Sequence, residues 1–216
     1  MKIIDRAELI RRAEKIIEKG VLVHDKYRLD IRGELICGEN VEIDINVIIE
    51  GNVRIGNNVK VGANCILKNC SLGDDLTVKP FSIISGAKVG NSSMVGPFSR
   101  LRPGTHISDK VQIGNYVEIK NSVINAKTRI NHMSFIGDAN VDDNVTIGAG
   151  TITCNHDGIR TQRTFIQSDS YIGSNVNLIA PVKIKTGTVV GAGSTITDDT
   201  EENSLYIVRN RQKKIK

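Results

Sequence analysis

The sequence predicts an all-β chain folded as a prism of short parallel strands, with one short helix in front of it. Three observations lead there. An aliphatic residue recurs every six positions over most of the chain, aromatic residues are scarce (four Tyr, four Phe, no Trp), and helical spacing is confined to the first twenty residues.

The helix comes first. In residues 5–19, Ala7, Ile10, Ala13, Ile16 and Ile17 recur at helical spacing with charges between them, and Gly20 follows as a stop signal. A solenoid needs its open end covered, so residues 1–28 are expected to form a helical cap.

The prism follows. Steps of six from Ile43 reach Ile49, Ile55, Val61 and Leu67, and a step of five reaches Leu72. The pattern continues through Ile84, Val89, Leu101, Ile113, Ile119, Ile124, Ile136 and Val141 to Ile147, with further steps of five at Val89, Ile124 and Val141. It resumes at Ile172 and runs to Ile196. Each hexad makes one flat side, its aliphatic residue points inward, and the small residue after it (Gly56, Gly62, Gly114, Gly148, Gly173) permits the corner. Three hexads close one turn, with one shortened corner where a step of five occurs, which gives about eight turns from the marked positions. Aliphatic residues stacked on their own kind leave no need for aromatics inside. The prism is expected over residues 29–200. Between Thr153 and Ile172 the chain is polar and too long for one side, so it should loop out, and loops on a rigid scaffold carry sites. From about Asp198 the chain is expected to leave the prism, ending in a basic tail over 201–216.

Charge narrows the partners. The net charge is +5, but 209–216 hold five bases and no acid, so without them 24 bases face 24 acids. The body is neutral, which argues against a nucleic-acid face. The longest apolar runs fall far short of a membrane span, and the N-terminus has no apolar signal region, so a cytoplasmic protein is expected. Cys37, Cys65, Cys70 and Cys154 form no C-x-x-C pair and read as reduced, packed residues. The four histidines, 24, 106, 132 and 156, are not closely spaced, which leaves a zinc hydratase of this architecture a poor reading and no metal expected.

Four stretches are specific: NVIIEGNV (46–53), VGPFSRLRPG (95–104), IGNYVEIKNS (113–122) and NVTIGAGTITCNHDG (144–158). Over roughly 29–209 the chain resembles the acetyltransferase half of the bifunctional glucosamine-1-phosphate acetyltransferase/N-acetylglucosamine-1-phosphate uridyltransferase family, within the hexapeptide-repeat acyltransferases. The resemblance implies a left-handed parallel β-helix, an exception to the right-handed crossover rule. It further implies a homotrimer with sites between subunits, and transfer of acetyl from acetyl-CoA to the amine of glucosamine-1-phosphate. The general base falls on His132, with Glu118 as its carboxylate neighbour. Substrate contacts fall on Arg102, Lys120, Phe135, Thr146 and Asn155. Acetyl-CoA contacts fall on Ala149, Asn155, His156, Ser174, Ala192 and Arg209. The residue types suit the chemistry. Only a free amine attacks a thioester, and histidine titrates near neutrality. Arg102 and Lys120 supply cations for a phosphate monoester. Backbone N–H groups of the Gly-Ala-Gly turn can face a developing oxyanion, and Arg209 can meet a CoA phosphate. His24 and His106 have no counterpart in the family's site and read as structural.

The chain departs from the family in places. No Gly-rich G-x-G-T-R-M-type loop precedes the helix, so uridyl transfer is not expected. Phe135 stands where the family has tyrosine, losing a hydroxyl whose bond to a charged group is worth about 1.5–3 kcal/mol. Thr161 replaces a loop lysine, with Arg160 and Arg163 beside it; Thr146 replaces an asparagine, and His156 a tyrosine. These changes fall mainly on the acceptor side. They leave open a different amino-sugar acceptor, or a trimeric binding or scaffold protein that has lost turnover.

Overall fold

A computed structural model describes residues 4–210. It is a parallel β-helix of about ten turns preceded by one helix. The first side is an eleven-stranded parallel ladder running from Leu22–Val23 to Leu205–Tyr206. The second and third sides share a seventeen-stranded sheet. Along the second side, Ile83, Arg100, Glu118, Phe135, Ile152 and Asn177 stack in register on successive turns. On the third side the stack is Arg54, Ser71, Lys88, His106 and Val123. The turn count exceeds the eight expected because the ladder begins before Ile43 and continues past Asp198, where Leu205–Tyr206 pairs with Val189–Val190.

The aliphatic stack is as the spacing requires. Ile43, Ile49, Leu67, Ile84, Leu101, Ile113, Ile119, Ile124, Ile130 and Ile136 are fully buried, no aromatic side chain among the described residues is buried with them, and Tyr206 packs partly buried against the stack on the last turn. The corners differ from the expected rule. The glycine after each aliphatic residue is needed because the next turn's backbone lies against it: a Cβ on Gly148 would sit 2.6 Å from the Ser174 nitrogen, and one on Gly173 2.5 Å from that of Ala192. The bend itself comes two or three residues after the aliphatic one, in a left-handed conformation. Asn46, Asn58, Asn64, Asn144 and Asn175 take φ between 54° and 61° there, a conformation asparagine tolerates better than most residues. Their amides also link turns: Asn40 donates to Asn58 at 3.1 Å, and Asn58 to Asp75 at 2.9 Å. At the shortened corners the bend falls on Asn69, Gly86, Asn121 and Asp138.

The helix, Arg6–Ile17, is capped by the Asp5 carboxylate, which accepts from the Glu8 nitrogen at 2.8 Å. It buries Leu9, Ala13 and Ile16. This face is rotated from the expected one: Ala7 and Ile17 are exposed, because the spacing of Leu9, Ala13 and Ile16 fits the same period and has the larger leading residue. Arg12 donates to the carbonyls of Ile31 and Gly33 at 3.3 and 3.4 Å. The helix thereby covers the open edge of the first turn. It is the single helix of three turns or more among the described residues, and none is long and apolar enough to cross a membrane. Lys213, Lys214, Lys216 and Arg211 of the basic tail lie outside the described residues.

The break in the pattern is shorter than the sequence suggested. Thr164–Ile166 is a strand of the third side, paired to Ala139–Val141, with Ile166 fully buried. Only 155–163 leaves the prism.

Candidate active site

The second side is bounded by two corners, and nearly every candidate residue lies on one or the other. Across that side, the three residues of Phe135–Gly137 separate the corners by about 10 Å.

The first-to-second corner is an unbranched column. His132 ends the strand Arg129–His132 and lies in register with Asn115 below. Its side chain is exposed, and its carbonyl accepts from Ser134 Oγ at 2.8 Å. Above it, Ala149, Ser174, Ala192 and Arg209 occupy the same corner on successive turns. The Gly150 nitrogen donates to Met133 at 3.1 Å, Asn175 to Ala149 at 2.7 Å, Gly193 to Ser174 at 2.8 Å, and the Arg209 guanidinium to the Ala192 carbonyl. At about 4.8 Å per turn, the column from His132 to Arg209 runs about 19 Å. Small side chains and the adjoining Gly148, Gly173 and Gly191 keep this strip free of bulk. Thr146 lies at the other end of the first side, between Arg129 and Tyr171.

Below His132 the same corner turns apolar. Phe81, Phe98, Tyr116 and Met133 occupy consecutive turns, all in left-handed backbone. Phe81 stacks on Phe98 with ring centroids 4.9 Å apart, and Phe98 on Tyr116 at 5.2 Å. The three rings are 50%, 43% and 60% exposed, an apolar strip that water leaves unsatisfied.

The second-to-third corner is polar and closely bonded. Arg102 Nη1 lies 2.8 Å from Glu118 Oε1. One turn up, Lys120 Nζ lies 3.6 Å from Asp138 Oδ2. Asp138 is buried, and both its oxygens are engaged: Asn121 donates to Oδ1, and Asn155 to Oδ2 at 2.6 Å. Burial pushes this carboxyl's pKa up, but the bonds from Asn121, Asn155 and Lys120 outweigh it and hold the group below its ordinary value. Arg163 reaches the same corner, donating to Asn140 Oδ1 at 2.6 Å and to the Asn121 carbonyl at 3.2 Å. Phe135 lies over Gly137: a Cβ there would be 2.7 Å from the ring and 2.9 Å from the Asn155 amide. The loop 155–163 rises from this corner. Its base is closed by the Gln162 nitrogen donating to Asn155 at 2.8 Å and by a bridge between His156 and Thr161. Asp157 accepts from the nitrogens of Arg160 and Ile159, which lower its pKa.

Within the chain the expected residues therefore separate into two groups. His132, Ala149, Ser174, Ala192 and Arg209 share the first corner. Arg102, Glu118, Lys120, Phe135, Asn155 and His156 gather at or beside the second. Glu118 is engaged by Arg102 rather than by the imidazole. Sequence reasoning missed Asp138. Its signal was the step of five from Ile136 to Val141, which puts a left-handed corner on an acid. Among the described residues no three His, Cys, Asp or Glu side chains cluster in a way that could hold a metal. Burial raises the thiols of Cys37 and Cys65 to about 11 and that of Cys70 to about 12, which leaves them unreactive.

These turns, corners and aliphatic stacks define a hexapeptide-repeat β-helix, and the comparisons agree. A family profile described as bacterial transferase hexapeptide (six repeats) matches residues 163–198, and one described as GMPPB C-terminal domain matches 31–105. Within that class the chain is homologous along its whole length to part of the proteins named bifunctional protein GlmU. The one from Nitrosomonas europaea is 50% identical over 215 residues, covering 100% of this chain and 47% of the relative. That from Nitrosospira multiformis is 48% identical, covering 97% and 45%. The chain thus spans about half the length of the curated relatives it matches. Among solved structures, Arabidopsis UDP-N-acetylglucosamine acyltransferase shares the fold with a TM-score of 0.52 at 15% identity, over 87% of this chain and 69% of that one.

Proposed function

We propose that this chain is an acetyl-CoA-dependent N-acetyltransferase of the cytoplasm that acts on an amino-sugar phosphate, with glucosamine-1-phosphate as the acceptor. The observation that carries the reading is the first-corner column. Its length of about 19 Å suits a long, thin donor laid along the prism. Its small residues accept close approach, and it runs from a histidine at one end to an arginine at the other. Bound there, acetyl-CoA supplies an activated acetyl thioester.

The chain's own residues do the rest. His132, exposed at the foot of the column, would take the proton that the sugar amine loses as its bond to the acetyl carbon forms, and would return it to the CoA sulfur as the thioester carbon–sulfur bond breaks, so that CoA leaves as the thiol. Arg209 meets phosphate at the far end. Arg102, Lys120 and Arg163 bring three cations to the second corner against two acids, Glu118 and Asp138, which suits a dianionic phosphate. Arg163 stands in for the loop lysine replaced by Thr161. The amine and phosphate of glucosamine-1-phosphate sit on neighbouring ring carbons, too close together to bridge about 10 Å, so His132 of one copy meets the second corner of a neighbouring copy across the groove between them.

We infer a homotrimer with each site completed by a neighbour. The support is the exposed aromatic strip at Phe81, Phe98 and Tyr116, directly below His132, which a second copy would cover.

The test is release of CoA thiol with acetyl-CoA and a panel of amino sugars. Turnover with glucosamine-1-phosphate supports the reading, and turnover with another amino sugar alone moves the acceptor. Acetyl-CoA binding by calorimetry with no turnover on any acceptor establishes a binding protein instead.

A further inference from the structure

Asp138 enters the proposed site only as a charge, yet it is the most heavily bonded acid among the described residues of the prism. It sits at a shortened corner with φ of 50°. It is one of the two carboxylates at the second corner, and the more buried of them. Its Oδ2 takes Asn155 at 2.6 Å and lies 3.6 Å from Lys120, so one oxygen touches two of the expected acceptor contacts, one on the turn above and one on the turn below. Its Oδ1 takes Asn121, whose carbonyl in turn receives Arg163. Its backbone continues the same tie: the Asp138 nitrogen donates to the Lys120 carbonyl at 2.9 Å, and its carbonyl accepts from Thr164 at the foot of the loop at 3.2 Å.

We infer that Asp138 is a positioning residue, which sets Lys120, Asn155 and the base of the 155–163 loop as one acceptor-phosphate cradle without touching the acceptor itself. Long lysine side chains lose considerable rotamer freedom when fixed. A buried carboxylate that holds the ammonium and the amide before the ligand arrives removes part of that loss from binding. The inference rests on the acetyltransferase reading for its kinetic consequence, but not for the geometry.

The test uses Asp138→Asn and Asp138→Gly in the full chain. Both residues accept a left-handed corner, so either variant keeps the bend if the other fails to fold. The KM for glucosamine-1-phosphate is expected to rise about ten-fold or more, while the KM for acetyl-CoA changes by less than about two-fold. Lys120, freed from its anchor, is expected to react faster with an amine-directed reagent, read by peptide mass spectrometry. An acceptor KM within about two-fold of the parent, or equal rises in both KM values, overturns the role. The labelling needs no turnover. A parent chain that transfers no acetyl defeats the activity reading alone, whereas unchanged Lys120 labelling in a folded variant defeats the positioning role alone.

Discussion

The two corners of the second side are built from the same repeat but to opposite ends. At the first corner the chain presents small residues, glycines and exposed rings, and His132 ends its strand there with its side chain open to solvent. At the second corner the side chains are tied to one another: Arg102 to Glu118, Lys120 and Asn155 to Asp138, Arg163 to Asn121 and Asn140. A bare edge admits a long ligand with little specificity along its length. A bonded edge holds charges in fixed places and selects what it binds. The corners proposed for donor and acceptor are thus separated by about 10 Å of one three-residue strand, which would let the acceptor side drift further from the family pattern than the donor side.

The sharpest break of this comparison is at His132. His132→Ala is expected to lower kcat by about 10²–10⁴-fold with both KM values little changed, measured by thiol release. An unchanged kcat would remove the base. Filling the bare edge comes next. Ala192→Leu should raise the acetyl-CoA KM by about ten-fold or more and leave the acceptor KM alone, since a branched side chain obstructs the strip between Ser174 and Arg209. On the bonded edge, Lys120→Ala should raise the acceptor KM by about ten- to a hundred-fold, the worth of one charge-assisted bond. Phe135→Tyr restores the missing hydroxyl beside Asn155 and should lower the acceptor KM by up to about ten-fold. An effect of either acceptor-side change on the acetyl-CoA KM would merge the two edges.

The smallest effect is on stability. Asp138 is held below its ordinary pKa, so its native bonds stabilise the fold at pH above the usual carboxylate range. That contribution is lost as pH falls through the lowered value. Thermal melts from pH 6 down to about pH 3 should fall less steeply in Asp138→Asn than in the parent. Parallel curves would mean that the group is not perturbed.

The sequence made the interior legible because the inward position must be aliphatic on every turn, and Ile43 through Ile196 obey that without aromatics. The helix was legible, though not its face, since two registers fit the same period and only packing on the first turn chose Leu9. The corners were harder to read. The left-handed residue is set by backbone sterics two or three places after the aliphatic one, and nothing in the aliphatic period marks the asparagines that fill it. For the same reason Ile166 was hidden inside a polar stretch, and the loop was drawn too long. The first-corner candidates could be named residue by residue because each has a counterpart in a known motif. Asp138 could not, because its importance lies in three partners that come from residues 120, 121 and 155, neighbours only once the turns are stacked.

The account stands on the column from His132 to Arg209 as the donor's bed. The most direct measurement is a crystal structure of the chain with CoA bound. The account predicts the cofactor lying lengthwise over Ala149, Ser174 and Ala192, with its sulfur at the His132 end and its phosphates at Arg209. Density for the cofactor elsewhere, or laid with its sulfur away from the imidazole, would contradict it.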